Sequence, residues 1–328
     1  MKHNLKCIAF SLVAFAAALT WATGTAAALA VTSDSGISFS GDALYWRPSG
    51  LDTAVASPLN PVNIAQTPGQ AQGFEYGFAP GYRLQADWKD WRVSWVDIAA
   101  DNQFSASCPG GCDALGAANK MLSVGAGSDV RMQVADLEFR QPFADYAESS
   151  KRTLYWALGA RFVHLRNDVT YNYLGWGLVA ANSVTSYQHL ANDMYGLRAA
   201  IEGKYGISSA FTVSGNLGYS LLAGRSIFTQ SSIFAPGGVP ASPTNSGVNV
   251  NTIVPVWELG AKLTYSPLKD LDVSVGYDFM ELRDALFGTF NVNNSSTAPG
   301  TPFPPYGIRY SRTVSFQGPR AGFSWRFE

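Results

Sequence analysis

The chain of 328 residues carries 14% charged residues and a formal net charge of −1. Soluble domains average about 25% charged residues, and a nucleic-acid partner would require a basic excess, so both classes are disfavoured. Past the N-terminus no apolar run reaches the roughly 20 residues of a membrane-spanning helix. With 13% aromatic residues and 32 glycines, the composition is typical of a membrane β-barrel, whose apolar surface is spread over alternate residues.

The N-terminus has the order of a secretory signal peptide. Lys2 and Lys6 precede an apolar run, Ile8–Leu19, and small residues follow at Ala28–Ala30. We therefore predict a signal peptide over residues 1–30 and a single barrel domain over residues 31–328. A membrane anchor is the weaker alternative because the run is short and breaks at Thr20. Removal of the two lysines takes the formal charge from −1 to about −3.

Two cysteines, Cys108 and Cys112, remain in the mature chain, on either side of a Pro-Gly-Gly turn. In an exported protein this spacing favours a disulfide in an extracellular loop. A metal-binding pair is the alternative, but the sequence has no histidine nearby to complete such a site. No cofactor is indicated.

The first predicted strand spans Gly36–Trp46 and ends at Arg47-Pro48, after which a loop rich in Pro, Ala and Asn runs to about Gln72. The second, Phe74–Trp88, alternates most regularly. Its apolar face holds Phe74, Tyr76, Phe78, Tyr82, Leu84, Ala86 and Trp88, and its polar face holds Glu75, Gly77, Gly81, Arg83, Gln85 and Asp87.

After a tight turn at Lys89-Asp90, the third strand begins with Trp91, Val93 and Trp95. Its apolar residues then change face at Val96 and Ile98, which predicts a β-bulge. A loop containing both cysteines should follow and end near Ser128.

Strands four to six are predicted over Val130–Phe143, around Leu154–Phe162, and from about Asp193 to Lys204. The polar, aromatic residues 166–188 lie between the last two. They either extend these two strands above the membrane, which we favour, or form an extra hairpin that would bring the strand number from ten to twelve.

The remaining strands are predicted over Phe211–Leu222, around Trp257–Tyr265, around Val273–Phe279, and over Phe316–Phe327. In the last of these, Ala321, Phe323, Trp325 and Phe327 lie opposite a face with Arg320 and Arg326. An aromatic face opposite an arginine face is typical of the closing strand of a barrel.

The connections alternate between long and short throughout the chain. Outer-membrane barrels have long extracellular loops, short periplasmic turns and an even number of strands. The sequence therefore predicts an all-β protein, a transmembrane antiparallel β-barrel of about ten strands in the cell outer membrane. A soluble β-sandwich, the alternative, gives no reason for this alternation.

Charged residues within the predicted strands should face the lumen, because they are too costly to place against lipid. These pore-lining candidates are Arg83, Asp87, Glu138, Arg140, Arg161, Arg198, Glu202, Glu258, Lys262, Asp278, Arg320 and Arg326. They either form a constriction that sorts ions or pair with one another and fill a narrow barrel. The excess of arginine suggests a mild preference for anions.

Seven segments also resemble strands of a known family. GDALYWRP, ADLEFRQPF, GARFVHL, YGLRAAIEGKY, VPVWELGAKLTY, VSVGYDFMEL and FQGPRAGFSWRF resemble, in order, the Legionella-type major outer membrane protein family of pore-forming proteins. The resemblance implies a porin-like passage of small solutes or ions, with outer-membrane lipid around the barrel. One departure is Glu328, which follows the aromatic residue on which barrels commonly end.

Two further functions remain open: a structural or adhesive barrel with a filled lumen, and a hydrolase with a site at the extracellular rim. The second would depend on His164 and His189, each followed four residues later by an aspartate, Asp168 and Asp193. No G-x-S-x-G nucleophile motif accompanies them, so we expect that the protein is not an enzyme. A homo-oligomer is compatible with the sequence.

Overall fold

A computed structural model describes residues 36–51, 54–58, 72–73, 75–114, 120–143, 152–175, 179–291 and 307–327. The predicted signal peptide and Phe74 lie outside the described residues. Among the described residues there is no helix with the length and apolarity needed to cross a membrane.

The described chain consists of twelve strands and one 3-10 turn, Pro236–Gly238. The strands are β1 (Ile37–Ser49), β2 (Ala54–Pro58), β3 (Gln72–Gly73), β4 (Ala79–Trp88), β5 (Trp91–Ala114), β6 (Lys120–Pro142), β7 (Arg152–Leu174), β8 (Ser183–Gly206), β9 (Phe211–Ala235), β10 (Thr244–Tyr265), β11 (Leu271–Asn291) and β12 (Gly307–Phe327).

Ten of these strands close into an antiparallel barrel. Each pairs with the next along the chain, with β1 pairing directly with β4, and the closure is made where β1 also pairs with β12. The short strands β2 and β3 lie in the first long connection and pair at the far end of β5. Closure gives every described barrel strand a partner on both sides, so backbone groups at membrane depth pair between neighbouring strands. The prediction of a ten-stranded barrel is confirmed.

Most strands are longer than predicted, and the extra length lies on the extracellular side, whereas β4 begins only at Ala79 and is shorter than the predicted strand Phe74–Trp88. The pairing of β7 with β8 continues up to Leu174 and Ser183, so residues 166–188 extend these two strands and form no separate hairpin. Strand β9 has 25 residues, roughly 80 Å of extended chain. The barrel wall therefore rises well above a bilayer of about 30 Å.

Outward-facing aromatic side chains mark the two edges of the lipid-facing band. Near the periplasmic turns Phe211 stacks on Tyr265, with ring centroids 5.0 Å apart. Eight residues higher on the same strands, Tyr219 contacts Trp257 at 4.8 Å. Eight residues of strand span about 27 Å, or roughly 20 Å at the tilt of a barrel strand, close to the 25 Å expected of such a band. We call the upper edge, with Tyr195, Tyr219 and Trp257, the outer girdle.

Three local predictions are wrong. The pairing of β5 with β6 is continuous from Trp91 to Ser107, so no bulge occurs at Val96 and Ile98. Both side chains face inward and are at most 3% exposed. The predicted loop ending near Ser128 is largely strand, since β5 continues to Ala114 and β6 begins at Lys120. Tyr76, assigned to the lipid face, is buried and bonds through its hydroxyl to Ser128.

Candidate functional site in the barrel lumen

All twelve charged residues predicted to face the lumen line one cavity of about 470 Å³ inside the barrel. They are Arg83, Asp87, Glu138, Arg140, Arg161, Arg198, Glu202, Glu258, Lys262, Asp278, Arg320 and Arg326. Their position in the lumen is thus the predicted one, while their role in conduction stays a prediction.

Five further charged residues complete this wall, which we call the charged layer: Asp42, Arg92, Asp136, Lys204 and Asp272. The layer has nine basic and eight acidic side chains, so the predicted arginine excess is almost balanced. Arg92 could have been found from the sequence, because it alternates with the lipid-facing Trp91 and Val93. Asp42 lies on a strand whose pattern is weak.

At the centre of the charged layer, Arg161 is held by two carboxylates. Its Nε and Nη2 donate to Asp136 at 2.6 and 2.7 Å, and its Nη1 lies 2.8 Å from Glu258. The Arg161 side chain is only 2% exposed. A two-pronged bond of this kind fixes a guanidinium in one orientation, so Arg161 is a fixed part of the barrel interior.

Arg198 bridges Glu138 and Glu258 beside that centre. Its Nη2 lies 2.7 Å from Glu258, and its Nη1 contacts Glu138. The side chain passes over Gly218 of the intervening strand β9. A Cβ at Gly218 would lie 2.8 Å from Glu258 and 3.1 Å from Arg198, so the absence of a side chain there makes room for the ion pair.

Towards the periplasm, Arg92 and Arg140 share two carboxylates. Arg92 lies 2.7 Å from Asp87 and also contacts Glu202. Arg140 lies 2.6 Å from Glu202 and 3.4 Å from Asp87. Each acid thus has two cations as neighbours, an alternating arrangement that offsets the cost of removing these charges from water.

A looser cluster lies on the opposite wall. Arg83 and Arg320 each face both Asp42 and Asp278, at distances between 3.1 and 3.7 Å. The Arg83 guanidinium also lies 5.8 Å from the centre of the Trp46 ring, which is the first apolar side chain above it. These longer distances indicate weaker pairs than those around Arg161.

Two lysines of the charged layer form no ion pair with the side chains that the structure describes. Lys204 on β8 and Lys262 on β10 both pair through the backbone with Ser214 on β9, so they lie at one height about 10 Å apart. Hydroxyl groups surround them at the periplasmic mouth, including Thr212, Ser214 and Thr264. Because no described carboxylate pairs with them, these two cations are available to a passing anion.

Above the charged layer the lumen is filled by apolar side chains, which we call the apolar layer. Nine of the ten barrel strands contribute to it, and none of its members is more than 3% exposed. They are Leu44, Trp46, Val96, Ile98, Met132, Val134, Val163, Leu165, Met194, Leu222, Val254, Val256, Met280, Leu282, Val314 and Phe316. The polar cavity therefore ends beneath a closely packed apolar core.

Strand β11 folds into the lumen at the top of the apolar layer. Its pairing with β12 shifts between Leu282 and Leu286, and Asp284 within this β11 bulge has a φ of 56°. The fully buried Asn192 of β8 donates from Nδ2 to the carbonyl oxygen of Ala285 at 2.7 Å. Since β8 and β11 are three strands apart, this hydrogen bond crosses the lumen and ties the bulge down.

The two histidines pair crosswise with the two aspartates. His164 Nδ1 lies 2.6 Å from Asp193, and His189 Nδ1 lies 2.5 Å from Asp168. All four face outward above the outer girdle, on the wall of the barrel and away from the lumen. Among the described residues, no group of three or more His, Cys, Asp or Glu side chains could hold a metal ion.

The backbone of Cys108 and Cys112 lies in the upper part of β5, where the pairing with β6 shifts. Their side chains lie outside the described part of the structure, so the disulfide stays a prediction.

A family model described as the Legionella pneumophila major outer membrane protein precursor matches residues 32–327. A search of curated proteins finds no match. The fold is similar to the Escherichia coli outer membrane protease OmpT (11% identity, TM-score 0.47), covering 92% of this chain and 99% of that one. The fold is also similar to a major outer membrane protein from Thermus thermophilus, with 10% identity and a TM-score of 0.33 over 90% of this chain and 100% of that one. A third similar structure is the P. putida toluene transporter TodX, with 10% identity and a TM-score of 0.29 over 90% of this chain and 91% of that one.

Proposed function

The chain belongs to the Legionella pneumophila major outer membrane protein family and lies in the outer membrane, and we propose that it is a narrow, gated channel for small ions and solutes. The conformation described above is its closed state.

The observation that carries this proposal is the charged cavity at membrane depth. A barrel with a purely structural role can fill its interior with apolar side chains, which needs no compensation for desolvated charge. This barrel instead keeps seventeen charged side chains around about 470 Å³ of space. Such a lining gives ions a polar path across the periplasmic half of the membrane.

The apolar layer supports gating over free diffusion. A hydrophobic constriction excludes water and so blocks ions, even where its backbone diameter is sufficient. Conduction therefore requires the apolar side chains to separate. The β11 bulge is the element whose movement would do this, because it brings Leu282 and Ala285 into the lumen, where both are fully buried.

The gate can be tested by recording single channels from protein refolded into planar bilayers. One net hydrogen bond stabilises by about 0.5–1.5 kcal/mol, so we expect Asn192→Ala to raise the open-to-closed ratio by roughly two- to tenfold. Ser226→Ala is the matched control. Ser226 is the buried neighbour of Asn192 on β9, and its hydroxyl has no partner within the described residues. This substitution should leave the ratio unchanged.

The second candidate is a structural or adhesive barrel with a permanently filled lumen, favoured by the completeness of the apolar layer. If neither the wild type nor Asn192→Ala opens at any voltage that the bilayer tolerates, the channel proposal fails and this function takes its place.

We propose no catalytic role for the protein. The two histidine–aspartate pairs lie outside the lumen, and each aspartate is already engaged by its histidine. Loss of a hydrolytic activity on substitution of His189, measured with the purified protein, would contradict this.

A further inference from the structure

The outer wall of the barrel has a groove of about 620 Å³ on strands β7 to β10, whose accessible surface is mainly apolar. Its outward-facing lining forms two rows. One row runs from Thr170 to Tyr187 and Ser231, and the other runs from Asp168 to His189 and Thr229. Neither the channel proposal nor the lumen gives this surface a role.

We propose that this outer groove binds the sugars of a phosphorylated glycolipid anchored in the outer leaflet. The proposal rests on three observations: the chemistry of the groove, its height above the bilayer, and the order of side chains below it. It is independent of whether the lumen conducts.

The chemistry of the groove suits a carbohydrate. Tyr187 is 51% exposed, so its ring is available for contact with the apolar face of a sugar. Asp168, Thr170 and Thr229 provide the carboxylate and hydroxyl groups that bind sugar hydroxyls. Gly247 at the far side has no side chain, which leaves the groove open on β10.

The height of the groove suits a sugar that is attached to a membrane lipid. On β8, Tyr195 belongs to the outer girdle and Tyr187 lies eight residues further up the strand. This separation is about 27 Å along the strand, or roughly 20 Å above the edge of the lipid-facing band at a barrel tilt. The headgroup of a large glycolipid occupies this zone, while simple phospholipid headgroups end below it.

The outward side chains from just below the girdle up to the groove are arranged in the order of such a lipid. Below lie apolar side chains that contact acyl chains, such as Leu197, which is 75% exposed. Next comes Arg225, exposed and bonded to the neutral amide of Asn249. Two strands away on β7 is Arg166, whose partner is Asp168. These cations lie below the groove, at the level expected for the phosphate of a lipid whose sugars occupy the groove.

Carboxylates also face this region, and they limit how much anionic charge it can take. Asp193 is paired with His164, and Asp168 is shared between Arg166 and His189. The arrangement therefore favours a ligand with one or two phosphates near Arg225 and a largely neutral sugar in the groove. Further acidic groups on the sugars at the level of Asp168 would be repelled.

The proposal is tested by native mass spectrometry of the full barrel with three probes: rough lipopolysaccharide carrying core sugars, lipid A without them, and the free core oligosaccharide. We expect rough lipopolysaccharide to bind most tightly. Equal affinity for lipid A would show that the groove takes no part. Equal affinity of the free oligosaccharide would show that a lipid anchor is not recognised. Either result overturns the proposal.

Two variants assign the binding to the groove. Aromatic contacts are worth about 0.5–1.5 kcal/mol, so Tyr187→Ala should weaken rough lipopolysaccharide about fivefold and leave lipid A unaffected. Tyr277→Ala, an exposed tyrosine on the outer face of β11, is the control and should change neither.

Gly247→Phe fills the groove while removing no native contact. A Cβ at this position would lie 3.4–3.5 Å from its nearest neighbours, so a side chain fits. Folding of each variant is checked by its heat-dependent mobility on a gel. If folded Gly247→Phe still binds rough lipopolysaccharide as the wild type does, the site is not the groove.

Discussion

Arg198 and Glu258 meet across a strand that carries no side chain between them. The guanidinium starts on β8, crosses Gly218 of β9 and ends 2.7 Å from the carboxylate on β10. Both groups belong to one connected network, because Glu258 also holds Arg161, and Arg198 also holds Glu138. The interior of the membrane span is therefore stabilised by linked pairs, and the small residue beneath this pair is what lets the two side chains meet.

Gly218→Ala should destabilise the barrel by about 1–3 kcal/mol, the usual cost of adding a methyl group to a packed site. The new Cβ would push against Glu258 and Arg198 at 2.8 and 3.1 Å. The measurement is a urea refolding titration in lipid. Gly215→Ala on the same strand is the control. A Cβ there meets only a carbonyl oxygen at 3.5 Å, so the variant should unfold at the wild-type midpoint. Equal behaviour of the two would mean that the pair has room to move.

A double-mutant cycle on Arg161 and Asp136 should give a coupling free energy of about 2 kcal/mol or more. Removing one partner of a buried pair leaves the other charge uncompensated, at a cost of roughly 3–5 kcal/mol. The double variant Arg161→Met, Asp136→Asn should therefore be more stable than the sum of the single effects predicts.

The control cycle uses Arg326 and Asp272, which are 3.0 Å apart at the periplasmic end with Arg326 half exposed. Exposed pairs contribute about 1 kcal/mol or less, so this coupling should be clearly smaller. Similar couplings in the two cycles would show that water screens the centre of the charged layer as well as it screens the mouth.

The two faces of β10 should respond differently to an added arginine. Leu259 faces lipid and is 58% exposed, whereas Thr264 faces the cavity. An arginine on the lipid face costs about 2–4 kcal/mol at the midplane and less near the edges. We therefore expect Leu259→Arg to lose about 2 kcal/mol in refolding titrations, and Thr264→Arg to lose much less because its guanidinium can stay hydrated. A larger loss for Thr264→Arg would contradict the observed face of this strand.

The lumen-facing charges could be predicted from the sequence alone. Alternation with exposed residues such as Leu197 and Leu259 was enough to place the lumen arginines, since lipid rejects charge on the other face. The alternation could not reveal the apolar layer. There the apolar residues Val96 and Ile98 occupy the lumen-facing positions of the strand, which charged residues occupy lower in the barrel. A change of apolar face is therefore compatible with a bulge or with a change of the lumen lining, and in β5 it reflects the lining.

Neither the length of the strands nor the proposed gate could be predicted from the sequence. Above the outer girdle the outward face of a strand is polar, as at His189, and polar residues such as Gln188 and Asn192 also interrupt its inward face. The alternation that marks a strand therefore weakens although the hydrogen bonding continues. The bond between Asn192 and Ala285 joins residues 93 positions apart. It depends on the bulge in β11, for which the local sequence has no glycine or proline as a marker.

The ion preference should depend on Lys204 and Lys262 and not on the central arginines. Arg161 and Arg198 are each paired with two carboxylates. Their positive charge is therefore largely neutralised and should attract a passing anion only weakly. The lysines have no such partner in the described part of the chain and lie among hydroxyl groups at the periplasmic mouth of the cavity. We expect a mild preference for anions, measured as the reversal potential across a salt gradient, either in wild-type openings or in those of Asn192→Ala.

Replacing both lysines by glutamine should shift that reversal potential towards cation permeability, because charged side chains at a constriction set selectivity. The control is the double variant Arg161→Ala, Arg198→Ala, in which folded protein should keep the wild-type preference although it unfolds more easily. If the arginine variant loses the preference and the lysine variant keeps it, the paired arginines set the selectivity, and ions pass through the centre of the charged layer beside them.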